Sequence, residues 1–140
     1  MQKIEHIGIA VEDLSVSIPL FEALLNTLCY KTEIVESAKV KTAFFKTGES
    51  KIELLESTVA DGVIARFIQK RGQGMHHIAF AVKDLQSEMD RLTNAGFQLL
   101  NSTPEIGADS KLVCFLHPKN TNGVLIELCQ EIDNPNSFSM

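Results

Sequence analysis

The chain has 140 residues, a formal net charge of -5 and an apolar share of 44%. A chain of this length buries roughly 68% of its unfolded surface, enough for one core or for two small modules that share one. No run approaches the ~18 apolar residues of a membrane span, and no signal peptide opens the chain. The acidic balance offers no basic patch for nucleic acid, although an anionic small ligand needs only one local pocket.

The first expected element is a strand through His6-Ile7-Gly8-Ile9-Ala10-Val11. A helix follows, with Phe21, Leu24, Leu25 and Leu28 on one face. Pro19 is comfortable only in a first turn, so this helix is expected to start near Ser17 or to kink there. Strands are expected over 31–36, 40–47 and 51–56, with Gly48 at the last turn. Residues 57–75 form a linker whose Val63, Ile64, Phe67 and Ile68 predict a helix ending at Gly72. The opening pattern then returns 71 residues later as His77-Ile78-Ala79-Phe80-Ala81-Val82. A second helix carries Met89, Leu92 and Ala95 and stops at Gly96. Strands are expected over 97–100, 112–117 and 124–130, and a loosely held polar tail over 133–140. The chain therefore reads as α+β: two tandem β-α-β-β-β modules in one domain over 1–132. Module one is about 3–56, the linker helix lies within 57–75, and module two is about 76–131.

Alternate side chains of a strand face opposite sides. Ile7, Ile9 and Val11 share one face of the first strand, as Ile78, Phe80 and Val82 do in its repeat, and these suit packing against a helix. The other face carries a histidine and two tiny residues each time: His6, Gly8, Ala10 and His77, Ala79, Ala81. Small residues leave room, and a histidine beside that room can meet a ligand. The last strand of each module adds a carboxylate inside an apolar run, Glu53 in Ile52-Glu53-Leu54 and Glu127 in Ile126-Glu127-Leu128. Glutamate is rarely buried unless paired.

Two imidazoles with carboxylates suit a divalent ion such as Co, Mn, Ni, Zn or Fe(II). Four protein ligands on an octahedral ion leave two positions for two oxygens of one substrate, which implies Lewis-acid chemistry beside a carbonyl. Cys29, Cys114 and Cys129 lack metal-ligand spacing and read as buried free thiols in a reducing cytoplasm. His76 has the opposite parity to His77, so it is expected to face away or to play a supporting role. His117 either touches a substrate or caps a turn, and Lys119 either meets an anion or is simply solvated.

At these residues the sequence resembles the vicinal-oxygen-chelate superfamily of glyoxalases, bleomycin-resistance proteins and dioxygenases. Within it, the sequence is similar to the methylmalonyl-CoA epimerases from Ile4 to about Glu131. The likeness is carried by His6-Ile7-Gly8-Ile9-Ala10-Val11, by Gly48-Glu49-Ser50-Lys51-Ile52-Glu53-Leu54-Leu55-Glu56, and by Gly72-Gln73-Gly74-Met75-His76-His77-Ile78. It continues in Phe115-Leu116-His117-Pro118-Lys119 and Gly123-Val124-Leu125-Ile126-Glu127-Leu128.

The resemblance implies metal ligation by His6, His77 and Glu127, with Glu53 where some members have a glutamine ligand. It implies interconversion of the two C2 epimers of methylmalonyl-CoA through a metal-stabilised enolate, with Glu127 and Glu53 as the acid/base pair. It also implies an acyl-CoA partner and a homodimer, with His117 and Lys119 as substrate contacts. One departure stands out: Thr42 occupies a third-strand position where some epimerases carry a proposed base, so the second base stays open. Two other readings compete. One is a glyoxalase-like lyase acting on a glutathione hemithioacetal; the other is a metal-free binding module that sequesters small molecules.

Overall fold

The structure, a computed structural model, describes residues 1–132; the tail expected over 133–140 lies outside the described residues. The first half runs β1 (Lys3–Ala10), α1 (Leu14–Leu25), β2 (Lys31–Val35), β3 (Val40–Thr47) and β4 (Ser50–Ser57). After α2 (Val63–Arg71), the second half runs β5 (Gly74–Ala81), α3 (Leu85–Asn94), β6 (Glu105–Ile106), β7 (Lys111–Leu116) and β8 (Ile126–Glu131). All strands join one curled, mixed sheet in the order β2-β3-β4-β1-β5-β8-β7-β6. Each half supplies four neighbouring strands in mirrored order. Its first and last strands pair in parallel, and the halves meet at the antiparallel β1/β5 seam. This is the expected α+β architecture of two tandem modules.

The repeated Asp-Leu step starts both long helices. Asp13 accepts from the Ser15 amide and Asp84 from the Ser87 amide, satisfying donors that a helix start leaves free. α1 thus begins at Leu14, ahead of the expected start near Ser17, with Pro19 inside it. Pro19 forfeits one backbone bond. The helix persists because Leu14, Ile18, Phe21 and Leu25 pack onto Val11, Ala43, Phe45 and Leu54 of the sheet.

The expected inward face is therefore half wrong. Leu24 is 69% and Leu28 75% exposed, and the left-handed Asn26 cap ends the helix before Leu28. In module two, Met89 and Leu92 pack with Val82, Leu116 and Leu128 as expected, while Ala95 only caps the helix.

The strand expected over 97–100 reduces to a single bridge, Leu99 to Leu116. The Asn101 side chain takes over the next ladder position by accepting from the Phe115 amide at 2.9 Å. A side chain that bonds the backbone in this way competes with strand pairing. The edge strand is instead the two-residue β6, which pairs with Leu112 and Val113.

α2 ends at Gly72 as expected, and its Ile64, with Phe67 and Ile68 beside it, packs on Ala10, Val40 and Leu55. That packing closes one side of the concave face. No described helix is long and apolar enough to cross a membrane.

Candidate metal centre and active site

Strand register brings the two histidines together. Across the β1/β5 seam His6 pairs with Ala79 and Gly8 with His77, so each imidazole stands opposite a tiny residue of the other module. The room beside Gly8 is not left for a ligand, as the parity reading supposed. A Cβ there would lie 2.2 Å from His77 Cε1, so the His77 ring itself fills the space. One strand further out, Gly8 pairs with Glu53 and Ala79 with Glu127, which sets both carboxylates on the same face as the histidines.

The donor atoms of His6, His77 and Glu127 all lie within 4.8 Å of one another, and all three residues are buried. His6 Nε2 is 3.1 Å from His77 Nε2 and 3.7 Å from Glu127 Oε2, and His77 Nε2 is 3.2 Å from Glu127 Oε1. Donors about 2.1 Å from a common ion stand about 3.0–3.4 Å apart, between right-angle and tetrahedral arrangements. Two of the three separations lie in that range and the third is slightly longer, so the residues are close to a divalent-cation arrangement, and their N/O chemistry matches Co, Mn, Ni or Zn. Glu53 stands on the far side of the ring, with Oε2 3.0 Å from His6 Nδ1.

The charges are arranged to receive a cation. Burial pushes the Glu127 carboxyl up, but hydrogen bonds and charge from His6 and His77 outweigh it and hold it at about 2. Burial pulls the His6 imidazolium down, yet the hydrogen bonds of Glu127 and Glu5 and the charge of Glu53 push it up to about 10. Burial dominates at Glu53; with Glu127 repelling it and His6 attracting it, its carboxyl rises to about 7. The two equivalent glutamates thus differ in kind. Burial pushes Glu53 up, while the two imidazoles hold Glu127 down.

A cavity of about 370 Å³ opens onto these groups, with Thr42, Glu53, His76 and Glu127 among its lining. Thr42 is fully buried and its hydroxyl lacks a partner among the described residues. His117 and Lys119 are not at this cavity. His117 accepts from the Lys119 amide at the Pro118 turn, and Lys119 is exposed. Cys114 and Cys129 are buried free thiols as expected, and Cys29 is half-buried. Cys129 lies near Glu5 and His6, but burial raises its thiol and Sγ donates to the Phe80 carbonyl.

Glu5 escaped the parity reading, and His76 takes the supporting alternative rather than facing away. The seam register slips between Ile4 and His6 and again between Gly8 and Ile9, so Glu5 and His76 have no cross-strand partner. A bulge puts an extra residue into one strand and re-aims its side chain. Glu5 Oε1 accepts from His6 Nδ1 at 3.2 Å, and His76 Nδ1 lies 2.9 Å from His77 Nδ1. Burial, together with the His77 charge, pulls the His76 imidazolium down to about 4. Strict alternation hides such residues. The buried acid and the doubled histidine, each just before a ligand, were the signals available.

These features define a two-module protein with a buried His/His/Glu centre at the seam. Residues 5–115 match the Glyoxalase/Bleomycin resistance protein/Dioxygenase superfamily. An uncharacterized protein of Bacillus subtilis (strain 168) is 40% identical over 93% of each chain. An ethylmalonyl-CoA/methylmalonyl-CoA epimerase of Cereibacter sphaeroides is 37% identical over 91% of this chain and 97% of its own. A Streptomyces coelicolor methylmalonyl-CoA epimerase variant in complex with 2-nitronate-propionyl-CoA superposes with a TM-score of 0.89 at 32% identity, over 95% of this chain and 99% of that one. The chain belongs to that superfamily and, within it, to the methylmalonyl-CoA epimerases, which are isomerases.

Proposed function

We propose that the protein interconverts the two C2 epimers of methylmalonyl-CoA with the help of a divalent ion held by His6, His77 and Glu127. The observation that carries this reading is the convergence of those three donors on a cavity that also holds Glu53, a carboxyl raised to about 7. The ion supplies positive charge where a thioester oxygen gains electron density on loss of the C2 proton. Glu53 takes or returns that proton. Glu127 stands at the opposite nitrogen of the His6 ring, and it and Glu53 are the acid/base pair of this reading. Inversion needs proton exchange on both faces. Thr42 offers its unpartnered hydroxyl to the substrate rather than a second base.

Each module contributes one histidine and one glutamate, so residues 1–132 work as a single domain. Pairing of two copies is supported by the exposed apolar ridge of Val16, Leu20 and Leu24 along α1, with exposed Leu28 beyond its cap, and sedimentation velocity checks it. The deciding experiment incubates metal-loaded protein with methylmalonyl-CoA in deuterated water. Deuterium at C2 with conversion between epimers is the expected result. Turnover of a glutathione hemithioacetal without C2 exchange would overturn the reading.

A further inference from the structure

Module one supports its histidine with a chain of charges that has no counterpart in module two among the described residues. The His6 Nδ1–H donates to Glu5 Oε1 at 3.2 Å, while Glu53, although 3.0 Å from the same nitrogen, makes an ion-pair contact only. Glu5 is 5% exposed, and the same oxygen lies 2.9 Å from Lys51 Nζ. Lys51 in turn meets Asp109 Oδ2 at 2.5 Å. Asp109 belongs to the turn before β7, so this last contact crosses from module two to module one.

That turn is itself anchored to β2. Asp109 Oδ1 meets Lys31 Nζ at 2.6 Å, and the Asp109 amide donates to Glu33 at 2.9 Å. Asp109 and Ser110 both adopt left-handed backbone, with φ of 59° and 54°, a conformation that non-glycine residues hold only when their surroundings impose it. Gly107 and Ala108 of the same turn line the cavity. One run of contacts thus joins a wall of the cavity to a nitrogen of a metal-ligand histidine.

An imidazole can present only one nitrogen to a metal while the other carries its proton, and the partner of that proton decides which. We propose that Glu5 is a positioning residue: it holds the His6 Nδ1–H so that Nε2 faces His77 and Glu127, and Lys51, braced by Asp109 of the cavity turn, holds Glu5 in place. The inference rests on the metal-binding reading above and extends it to residues that touch neither metal nor substrate. At the equivalent bulge of module two, the contact is between two rings, with His76 Nδ1 2.9 Å from His77 Nδ1, and no carboxylate–lysine pair stands behind it among the described residues. Support from the bulge is therefore expected to matter more for His6 than for His77.

The test is equilibrium titration of Co(II) into chelator-treated protein, followed by affinity and by the visible absorption of the bound ion. Glu5→Met is expected to weaken Co(II) binding by about 10–100-fold, the usual range for an outer partner of a ligating histidine. Glu5→Gln, which keeps an acceptor in place, is expected to restore most of that loss. Lys51→Met and Asp109→Asn should weaken binding in the same order by smaller factors. They should also shift the Co(II) absorption without changing the far-UV circular dichroism of the metal-free protein.

The inference is overturned if Lys51→Met binds Co(II) within about twofold of the unsubstituted protein with an unchanged spectrum. It is also overturned if Glu5→Gln binds no better than Glu5→Met. Failure of the unsubstituted protein to bind Co(II) at all overturns the metal reading instead, and this inference with it. Both substituents in Glu5→Gln and Lys51→Met are close in size to the originals, so the comparison does not depend on whether Glu5→Met folds.

Discussion

Module one and module two share a backbone plan and divide the chemistry. Gly8–Glu53 and Ala79–Glu127 are equivalent strand pairs, yet one carboxyl is raised to about 7 and the other is held at about 2. The bulge residue before each histidine is an anion, Glu5, in one module and a neutral ring, His76, in the other. The helices differ as well. α1 shows solvent a row of uncharged side chains, whereas α3 shows Gln86, Asp90 and Arg91. A repeated fold can thus place equivalent atoms around one point while different neighbours set different proton affinities.

The largest break in that comparison comes from removing a shared ligand. His77→Ala is expected to abolish bound metal and C2 exchange while leaving the far-UV circular dichroism of a folded chain, read by elemental analysis of chelator-free protein. The equivalent glutamates should then part company. Glu127→Gln is expected to lose the metal, whereas Glu53→Gln keeps it at full stoichiometry and loses about 10²–10⁴-fold in kcat. Loss of metal from Glu53→Gln would instead make Glu53 a fourth ligand and restore the symmetry.

Removal of the metal sharpens the contrast through pH. The His6 imidazolium is held up to about 10 against an ordinary 6.5, so its contribution to metal-free stability is complete below about pH 6.5. That contribution is lost as the pH rises through about 10. The metal-free protein should therefore lose Tm between pH 7 and pH 10 in thermal scans. The loaded protein, where the ion takes the place of the His6 proton, should show a flatter profile. Parallel profiles for the two forms would contradict this.

A smaller effect separates the two tiny residues at the seam. Gly8→Ala drives a methyl into the His77 ring, so a loss of ~1–3 kcal/mol is expected in denaturant unfolding, together with weaker metal binding. The reciprocal Ala79→Gly leaves the His6 ring where it is and should cost about 0.5–1 kcal/mol without touching metal affinity. The smallest effect is at Lys119, which is exposed and away from the cavity. Lys119→Ala is expected to leave kcat/KM within about twofold, and a larger fall would return it to the substrate contacts.

Much of this was legible in residue order. The recurring His-Ile-x-x-Ala-Val-x-Asp-Leu pattern marks two modules; its Asp-Leu step sets both helix starts, although Pro19 had pointed to a first start near Ser17. Parity put His6, His77, Glu53 and Glu127 on one face because strand alternation is a local property of the backbone. Parity failed at Glu5, and left two roles open at His76, because a bulge is a property of two strands, decided by how β1 and β5 pair. It failed at 97–100 because the Asn101 side chain displaced a ladder bond. Leu24 and Leu28 misled because an apolar residue on a helix declares a face but not which face is covered.

The sequence by itself determined the two-module plan, the identity of the four central side chains and the kind of ion they suit, since these follow from residue type and spacing. Only the tertiary structure decided how the surroundings of the two glutamates differ. That difference depends on the distances of charged groups brought from strands far apart in the chain, and in a buried site those distances govern proton affinity. It also decided that a turn of module two braces a histidine of module one, because the Asp109–Lys51–Glu5 contacts exist only after the two halves have joined along one seam.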